Sequence, residues 1–142
     1  MPPAEPPHRA GTLAGLLDGL AAEHGSRVAL VEGDRTLTFD GLRAAAAALA
    51  DDLAGWGVGR GDVVALWLPN LLEYLVAEFA LAGLGAAALG VNTRYGERDV
   101  AHLLERGTPV GAVVPYRFLD PAFVGRLPRP GPWVGVVGGA TG

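Results

Sequence analysis

The most constraining feature of this sequence is a series of short, uncharged apolar segments that alternate with helical segments from residue 63 onward. Residues 63–68, 86–91 and 110–114 contain no charged side chain, and between them lie residues 71–81 and 97–107, where apolar side chains recur at helical spacing. Strands without polar alternation are expected to be covered on both faces. Parallel neighbours require a helical crossover rather than a hairpin. The order therefore predicts an α/β fold with a mainly parallel sheet flanked by helices and joined by right-handed βαβ crossovers. Residues 133–137 read as a further strand.

The stretch before this alternation has a different pattern. Residues 1–11 form a flexible, proline-rich leader. Leu13, Leu16, Leu17 and Leu20 then repeat at helical spacing after Thr12, and Gly25 follows His24 as a stop. Residues 28–31 and 36–38 flank Glu32-Gly33-Asp34-Arg35, a β-hairpin signal through its Gly-Asp pair. A second helix is expected over residues 39–56, with Leu42, Leu49, Leu53 and Trp56 on one stripe and an alanine run over 44–48 for close packing. Gly57 ends it, Gly61-Asp62 turns the chain, and Pro69-Asn70 ends the first apolar strand. Asn70 followed by Glu73 fits an N-cap with its reciprocal carboxylate. Glu97 and Asp99 open the last helix, where its dipole favours negative charge. Val100, Leu103 and Leu104 form that helix's inner face, and Gly107 ends it.

Composition removes several kinds of chemistry. The 142 residues include no cysteine and no lysine, so all 11 basic residues are arginines. Thiol nucleophiles, disulfides and thiolate metal sites are excluded, as are a lysine Schiff base and a lysine-bearing P-loop. The single serine, Ser26, has no G-x-S-x-G setting. A net charge of −4 argues against nucleic acid, because no basic stripe faces phosphate; Arg126 and Arg129 alone do not make one. Residues 79–91 are too short and too interrupted by glycine for a membrane span of about 20 residues. No signal peptide is visible, so the cytoplasm is the expected compartment.

The polar candidates are few. His8, His24 and His102 lack metal-ligand spacing, so solvated or capping roles are expected and no metal site is assigned. Asp51 and Asp52 diverge around a helix axis rather than converge. The glycines of 57–61 stand between a helix and a strand, the reverse of the order that aims N–H groups at phosphate, and read as a turn. Gly138-Gly139-Ala140-Thr141-Gly142 follows a strand and could begin a phosphate loop, although the sequence stops before a following helix or lysine can be seen. Asn92-Thr93-Arg94-Tyr95 follows the carboxyl end of a strand, where open α/β sheets bind ligands. The plainer alternative, which the sequence favours, is a helix-entry loop with Arg94 paired to a nearby acid.

Taken in order, these stretches resemble the amino-terminal part of the adenylate-forming (AMP-binding) superfamily, the acyl-CoA synthetases and ligases. Leu37-Thr38-Phe39 with Leu42 is similar to the family's L-T-Y-x-E-L entry to an alanine-rich helix. Gly57-Val58, Gly61-Asp62-Val63-Val64-Ala65-Leu66 and Leu68-Pro69-Asn70 with Glu73 resemble its G-V-x-x-G-D segment and the strand that follows. Gly85-Ala86 through Asn92-Thr93-Arg94-Tyr95, with Leu103-Leu104-Glu105, resembles its G-A…P-l-N-x-R-Y stretch. Gly41 departs from the usual Glu, which removes the capping-box partner of Thr38, and Gly90 stands where Pro is common. Asn92-Thr93-Arg94 is more similar to acyl-CoA ligases than to peptide-synthetase adenylation domains, which tend to carry Asp-Pro there.

The resemblance implies that residues 12–142 are the amino-terminal portion of an AMP-binding domain, part of a large and here incomplete amino-terminal domain. It implies a parent enzyme that uses ATP and Mg²⁺ to convert a fatty-acid-type carboxylate to an acyl-adenylate, then passes the acyl group to CoA. The family's phosphate loop and catalytic lysine lie further along, so no catalytic, cofactor-binding or metal-binding residue is carried over to these positions. The segment alone is expected to be inactive, poorly soluble and without tight binding of ATP, Mg²⁺ or CoA. Two other readings remain open: an adenylation domain that loads an amino acid onto a carrier protein, and a non-catalytic interaction module that keeps the scaffold.

Overall fold

The computed structural model describes residues 11–115 and the backbone of residues 133–137. The proline-rich leader up to residue 10, His8, Arg126, Arg129 and the glycines of 138–142 lie outside the described residues. The elements run α1 (Leu13–His24), β1 (Val28–Glu32), β2 (Arg35–Thr38), α2 (Phe39–Gly55), β3 (Val63–Leu66), α3 (Leu72–Leu84), β4 (Ala87–Gly90), α4 (Glu97–Gly107), β5 (Gly111–Pro115) and β6 (Trp133–Val137). The alternation expected from residue 63 onward is present, as is the hairpin ahead of it.

Four of the strands form one parallel sheet in the order β4-β3-β5-β6. Successive side chains on a strand point to opposite faces, and β3 is buried on both. Val64, Leu66 and Leu68 pack with Leu53 of α2 and with Ala77, Ala80 and Leu81 of α3. Ala65 and Trp67 pack on the other face with Ala112 and Val114 of β5 and with Val100 and Leu104 of α4. The chain leaves β3 for β4 through α3, then crosses back past β3 to β5 through α4. That change of direction is why the two crossover helices cover opposite faces.

β4 departs from the expectation of strands covered on both faces. Ala87, Ala88 and Gly90 are exposed, because β4 lies at the edge of the sheet with β3 as its one described strand neighbour. Its small side chains also give the flanking helices little to close over. The leucine stripe of α1 is likewise only partly used. Leu17 is buried together with Ala21, whereas Leu13 is exposed. On α2, Leu42 and Leu53 are buried, but Trp56 at its carboxyl end is 45% exposed.

The first two helices start as the sequence indicates. Thr12 Oγ1 accepts the Gly15 N–H at 3.1 Å and Thr38 Oγ1 accepts the Gly41 N–H at 3.0 Å, each satisfying a donor that has no partner within the helix. Two glycines read as helix stops have another cause. Gly25 has a right-handed φ of −48°, and a Cβ there would collide with the Asp40 carboxylate. At the end of α4 it is Thr108, with φ 44°, that takes the left-handed position and donates its N–H to Leu104. A Cβ on Gly107 would run into the Leu89 side chain of β4.

The start of α3 is the largest departure. Its N-cap is Leu71 rather than Asn70, and Leu71 makes no side-chain cap. The cap comes from the hairpin instead. Glu32 Oε1 accepts the Leu72 N–H at 2.9 Å while Glu32 Oε2 accepts from Arg35 Nη1 at 2.9 Å. Arg35 also pairs with Glu73, so the carboxylate expected to complete a local capping box is held by the hairpin. A carboxylate is favoured at a helix amino end by the dipole and by a charge-assisted hydrogen bond. The hairpin thus clasps the helix that follows β3.

Replacing Glu32 with Ala should lower the unfolding free energy by about 1–2 kcal/mol, the usual loss for a cap with a charged partner. Glu32→Gln, which keeps an acceptor for Leu72, should lose less. Denaturant titration of the two variants checks this, and an Ala variant as stable as the wild type would show that the clasp contributes nothing.

Candidate functional site

Because α3 and α4 cover opposite faces, the loops leaving the carboxyl ends of β3 and β4 diverge from each other. Open α/β sheets bind ligands in such crevices. Here the two loops enclose an open cleft of about 560 Å³. Leu68, Pro69 and Asn70 form one wall, and Gly90, Asn92, Thr93 and Arg94 form the other. Tyr74, from the first turn of α3, and Tyr95 complete the rim, and none of the described residues lining the cleft is a carboxylate.

The Asn92-Thr93-Arg94-Tyr95 cluster therefore lies where strand order places a ligand. Asn92 Oδ1 accepts the Arg94 N–H at 2.9 Å, and the Tyr95 N–H bonds back to the Asn92 carbonyl at 3.1 Å. With one lone pair of Oδ1 engaged, the Asn92 amide keeps its NH₂ group available as a donor. The expected acid partner of Arg94 is not found: Arg94 is exposed and makes no ion pair among the described residues. Glu97 and Asp99 stand in the first turn of α4, where the helix dipole already accommodates them.

Tyr74 is not singled out by sequence, which reads Asn70 and Gly90 only as a helix cap and as a departure from the family pattern. Tyr74 is the one tyrosine of a largely apolar helix that also carries Glu73 and Glu78, four residues after the end-of-strand Asn70, and this spacing is the one signal available. Burial, followed by the negative charge of Glu78, pushes its phenol pKa up from 10.0. A Cβ on Gly90 would lie 2.9 Å from the Tyr74 hydroxyl. Glycine at this position, where the family often has Pro, leaves the ring its place at the rim. Asn70 and Tyr74 also border a smaller hollow of about 330 Å³ beside Leu30, Val31, Leu71 and Leu75.

The remaining candidates lie elsewhere. His24 sits at the end of α1, 3.7 Å from the Glu23 carboxylate. His102 is exposed on α4, as are Asp51 and Asp52 on α2 and Ser26 after α1. The glycines of 57–61 make the turn into β3, with Gly57 at φ 93° and Gly61 at φ 86°, and the Gly59 N–H bonds to Asp62 Oδ2 at 2.8 Å. No group of three or more metal-ligating side chains converges among the described residues. No described helix is long and apolar enough to cross a membrane.

Comparison with known proteins agrees with this architecture. Residues 17–128 match the AMP-binding enzyme family. The chain belongs to that family. Protein Y of Streptomyces griseus is 45% identical over 93 residues, which is 66% of this chain and 30% of that protein. A medium/long-chain-fatty-acid and 3-oxocholest-4-en-26-oate CoA ligase of Mycobacterium marinum is 36% identical over 94 residues, covering 66% of this chain and 17% of the ligase. A crystal structure of a candidate long-chain-fatty-acid CoA ligase from Rhodopseudomonas palustris superposes with a TM-score of 0.81 at 31% identity, over 92% of this chain and 34% of that one. The match to these two curated relatives thus spans no more than 30% of their length. The hairpin, the helices and the parallel sheet are those of an adenylate-forming enzyme's amino-terminal domain.

The raised phenol pKa of Tyr74 has a stability consequence. A group that binds its proton more tightly when folded contributes stability that is complete below its unfolded pKa and is lost as pH rises through the folded value. Stability should therefore fall above about pH 10, and Tyr74→Phe should remove part of that fall. Denaturant midpoints of both proteins across about pH 9 to 11.5 check it; identical slopes would contradict the burial of Tyr74.

Proposed function

We propose that this AMP-binding chain forms the scaffold, and one wall of the substrate region, of the large domain of an ATP-dependent acyl-CoA ligase acting on fatty-acid-type carboxylates. In this reading residues 12–142 are the amino-terminal portion of that domain. The observation that carries it is the cleft between β3 and β4, which holds Asn92-Thr93-Arg94 at the carboxyl ends of the strands in a stretch matched to the family. The ligase names of the Mycobacterium and Rhodopseudomonas proteins support the same reaction class.

The chemistry explains what this region can and cannot supply. A carboxylate is a poor acyl donor until its oxygen becomes part of a good leaving group. Its attack on the α-phosphorus of ATP expels pyrophosphate and gives the acyl-adenylate, and the CoA thiolate then displaces AMP. Both steps need cations around the phosphoryl oxygens. The described residues offer Arg94 in the cleft and no cluster suited to Mg²⁺, so the metal and the catalytic cations are assigned to other parts of the enzyme. The chain contains no lysine, which agrees with a scaffolding role.

The full-length polypeptide should catalyse carboxylate-dependent ATP–pyrophosphate exchange and form a thioester with CoA. The 142-residue chain by itself should do neither. Loading of an amino acid onto a phosphopantetheinyl carrier protein, with no CoA thioester formed, would overturn the assignment of acceptor. Exchange by the isolated chain would overturn the scaffolding role.

A further inference from the structure

The first turn of α3 is held differently from the rest of that helix. Further along, Val76, Ala77, Ala80 and Leu81 are buried in the apolar clusters that join α3 to α1, α2 and β3. At its start, Leu30 and Val31 of the hairpin and Leu71, Leu72 and Leu75 line a hollow of about 330 Å³, so apolar packing does not close this end. The bridge there is polar. Glu32 Oε1 accepts the Leu72 N–H at 2.9 Å, and Arg35 pairs with both Glu32 and Glu73. The Glu32 and Glu73 side chains are 25% and 16% exposed, so these contacts are partly sheltered from competing water.

The segment held in this way is also a wall of the cleft. Asn70 stands two residues before Leu72 and Tyr74 two residues after it, and both line the cleft. Asn70 is exposed and released from capping, because Glu32 fills that role. The Tyr74 hydroxyl reaches the carboxyl end of β4, where a Cβ on Gly90 would lie 2.9 Å from it. One turn of helix thus spans from the end of β3 to the end of β4. A carboxylate 40 residues away in sequence fixes where that turn begins.

We propose that Glu32 is a positioning residue for the cleft: through the Leu72 N–H it holds Asn70 and Tyr74 in the wall that meets substrate. The proposal rests on the ligase reading for the identity of that substrate. Loss of the carboxylate frees the first turn of α3, while the buried residues from Val76 onward keep the helix in place. A bound substrate must then order Asn70 and Tyr74 anew, which weakens binding without altering the reacting groups.

The test uses the full-length polypeptide with Glu32→Ala, Glu32→Gln and Thr38→Ala. The last removes the α2 cap and controls for lost stability alone. Thioester formation is measured against a long-chain fatty acid, ATP and CoA in turn. Glu32→Ala should raise the KM of at least one of the three by about five- to tenfold, with kcat within about twofold of wild type. Glu32→Gln, which keeps an acceptor for the Leu72 N–H, should recover most of that loss, and Thr38→Ala should leave every KM unchanged. In an Asn70→Ala, Tyr74→Phe background, Glu32→Ala should add less than about twofold, because the groups it positions are gone. Amide exchange at residues 72–74 should quicken in Glu32→Ala while residues 77–84 keep their protection. KM values within about twofold of wild type for all three substrates in Glu32→Ala, or an equal rise in Thr38→Ala, would overturn the proposal and leave the ligase reading standing. A wild-type protein that forms no acyl-CoA would overturn the ligase reading alone; calorimetric binding of ATP and of CoA then carries the same comparison. If Glu32→Ala does not fold, Glu32→Asp, one methylene short of the Leu72 N–H, takes its place.

Discussion

Burial of β3 on both faces is the constraint from which the rest of the structure follows. Val64 and Leu66 face α2 and α3 while Ala65 and Trp67 face α4. Full burial of one Val or Leu side chain contributes about 1.5–3 kcal/mol. A slip of one residue would exchange the two sets, placing Trp67 against the helices that now fit Val64 and Leu66. The register is therefore specified from both sides. It in turn places Gly90 opposite Leu66 and Val113 opposite the same residue on the other side. The reversal of chain direction about β3 makes the two following loops diverge, and the cleft is the space that this leaves.

The antiparallel hairpin belongs to a separate two-stranded sheet, yet it is held to the main sheet through α3. Leu17, Leu42, Ala46 and Val76 form a third apolar cluster that joins α1, α2 and α3, with Leu30 and Leu37 of the hairpin packed against it. Glu32 adds a directional contact by capping α3 across 40 residues of sequence. The Arg35–Glu73 pair sits beside it, with the Arg35 side chain 50% exposed, so solvent screening leaves it a minor energetic part. The cap fixes where α3 begins. That position brings Tyr74 to the rim of the cleft, linking a feature of the hairpin turn to the geometry of the candidate site.

Much of this was legible in the sequence because the signals were local. The Gly33-Asp34 turn, the Thr12 and Thr38 caps, and the apolar segments at 63–66 and 111–114 each depend on a few adjacent residues. The failures share one cause: a contact from a distant element determines the outcome. Asn70 and Glu73 look like a capping pair, but a hairpin carboxylate takes the helix end. Gly25 and Gly107 do stand where α1 and α4 end, but Gly25 is right-handed rather than a left-handed stop, and the small size of both also lets Asp40 and Leu89 approach. β4 reads as a doubly covered strand from its apolar sequence alone, and its edge position follows from strand order, which no single segment encodes. In the site, the Asn92–Tyr95 cluster was visible from its place after a strand. Tyr74 and Gly90 were not, since only the pairing of β3 with β4 brings them together.

The functional account joins two facts: membership of the AMP-binding enzyme family and a donor-lined cleft at the point where the sheet reverses. Amide hydrogen exchange on the full-length polypeptide, with and without ATP or CoA, tests their connection most directly. The account predicts that one of these ligands slows exchange across residues 91–95, the turn that carries Arg94, while the amides of β3 stay protected in either state. Ligand-dependent protection that leaves residues 91–95 unchanged would contradict it.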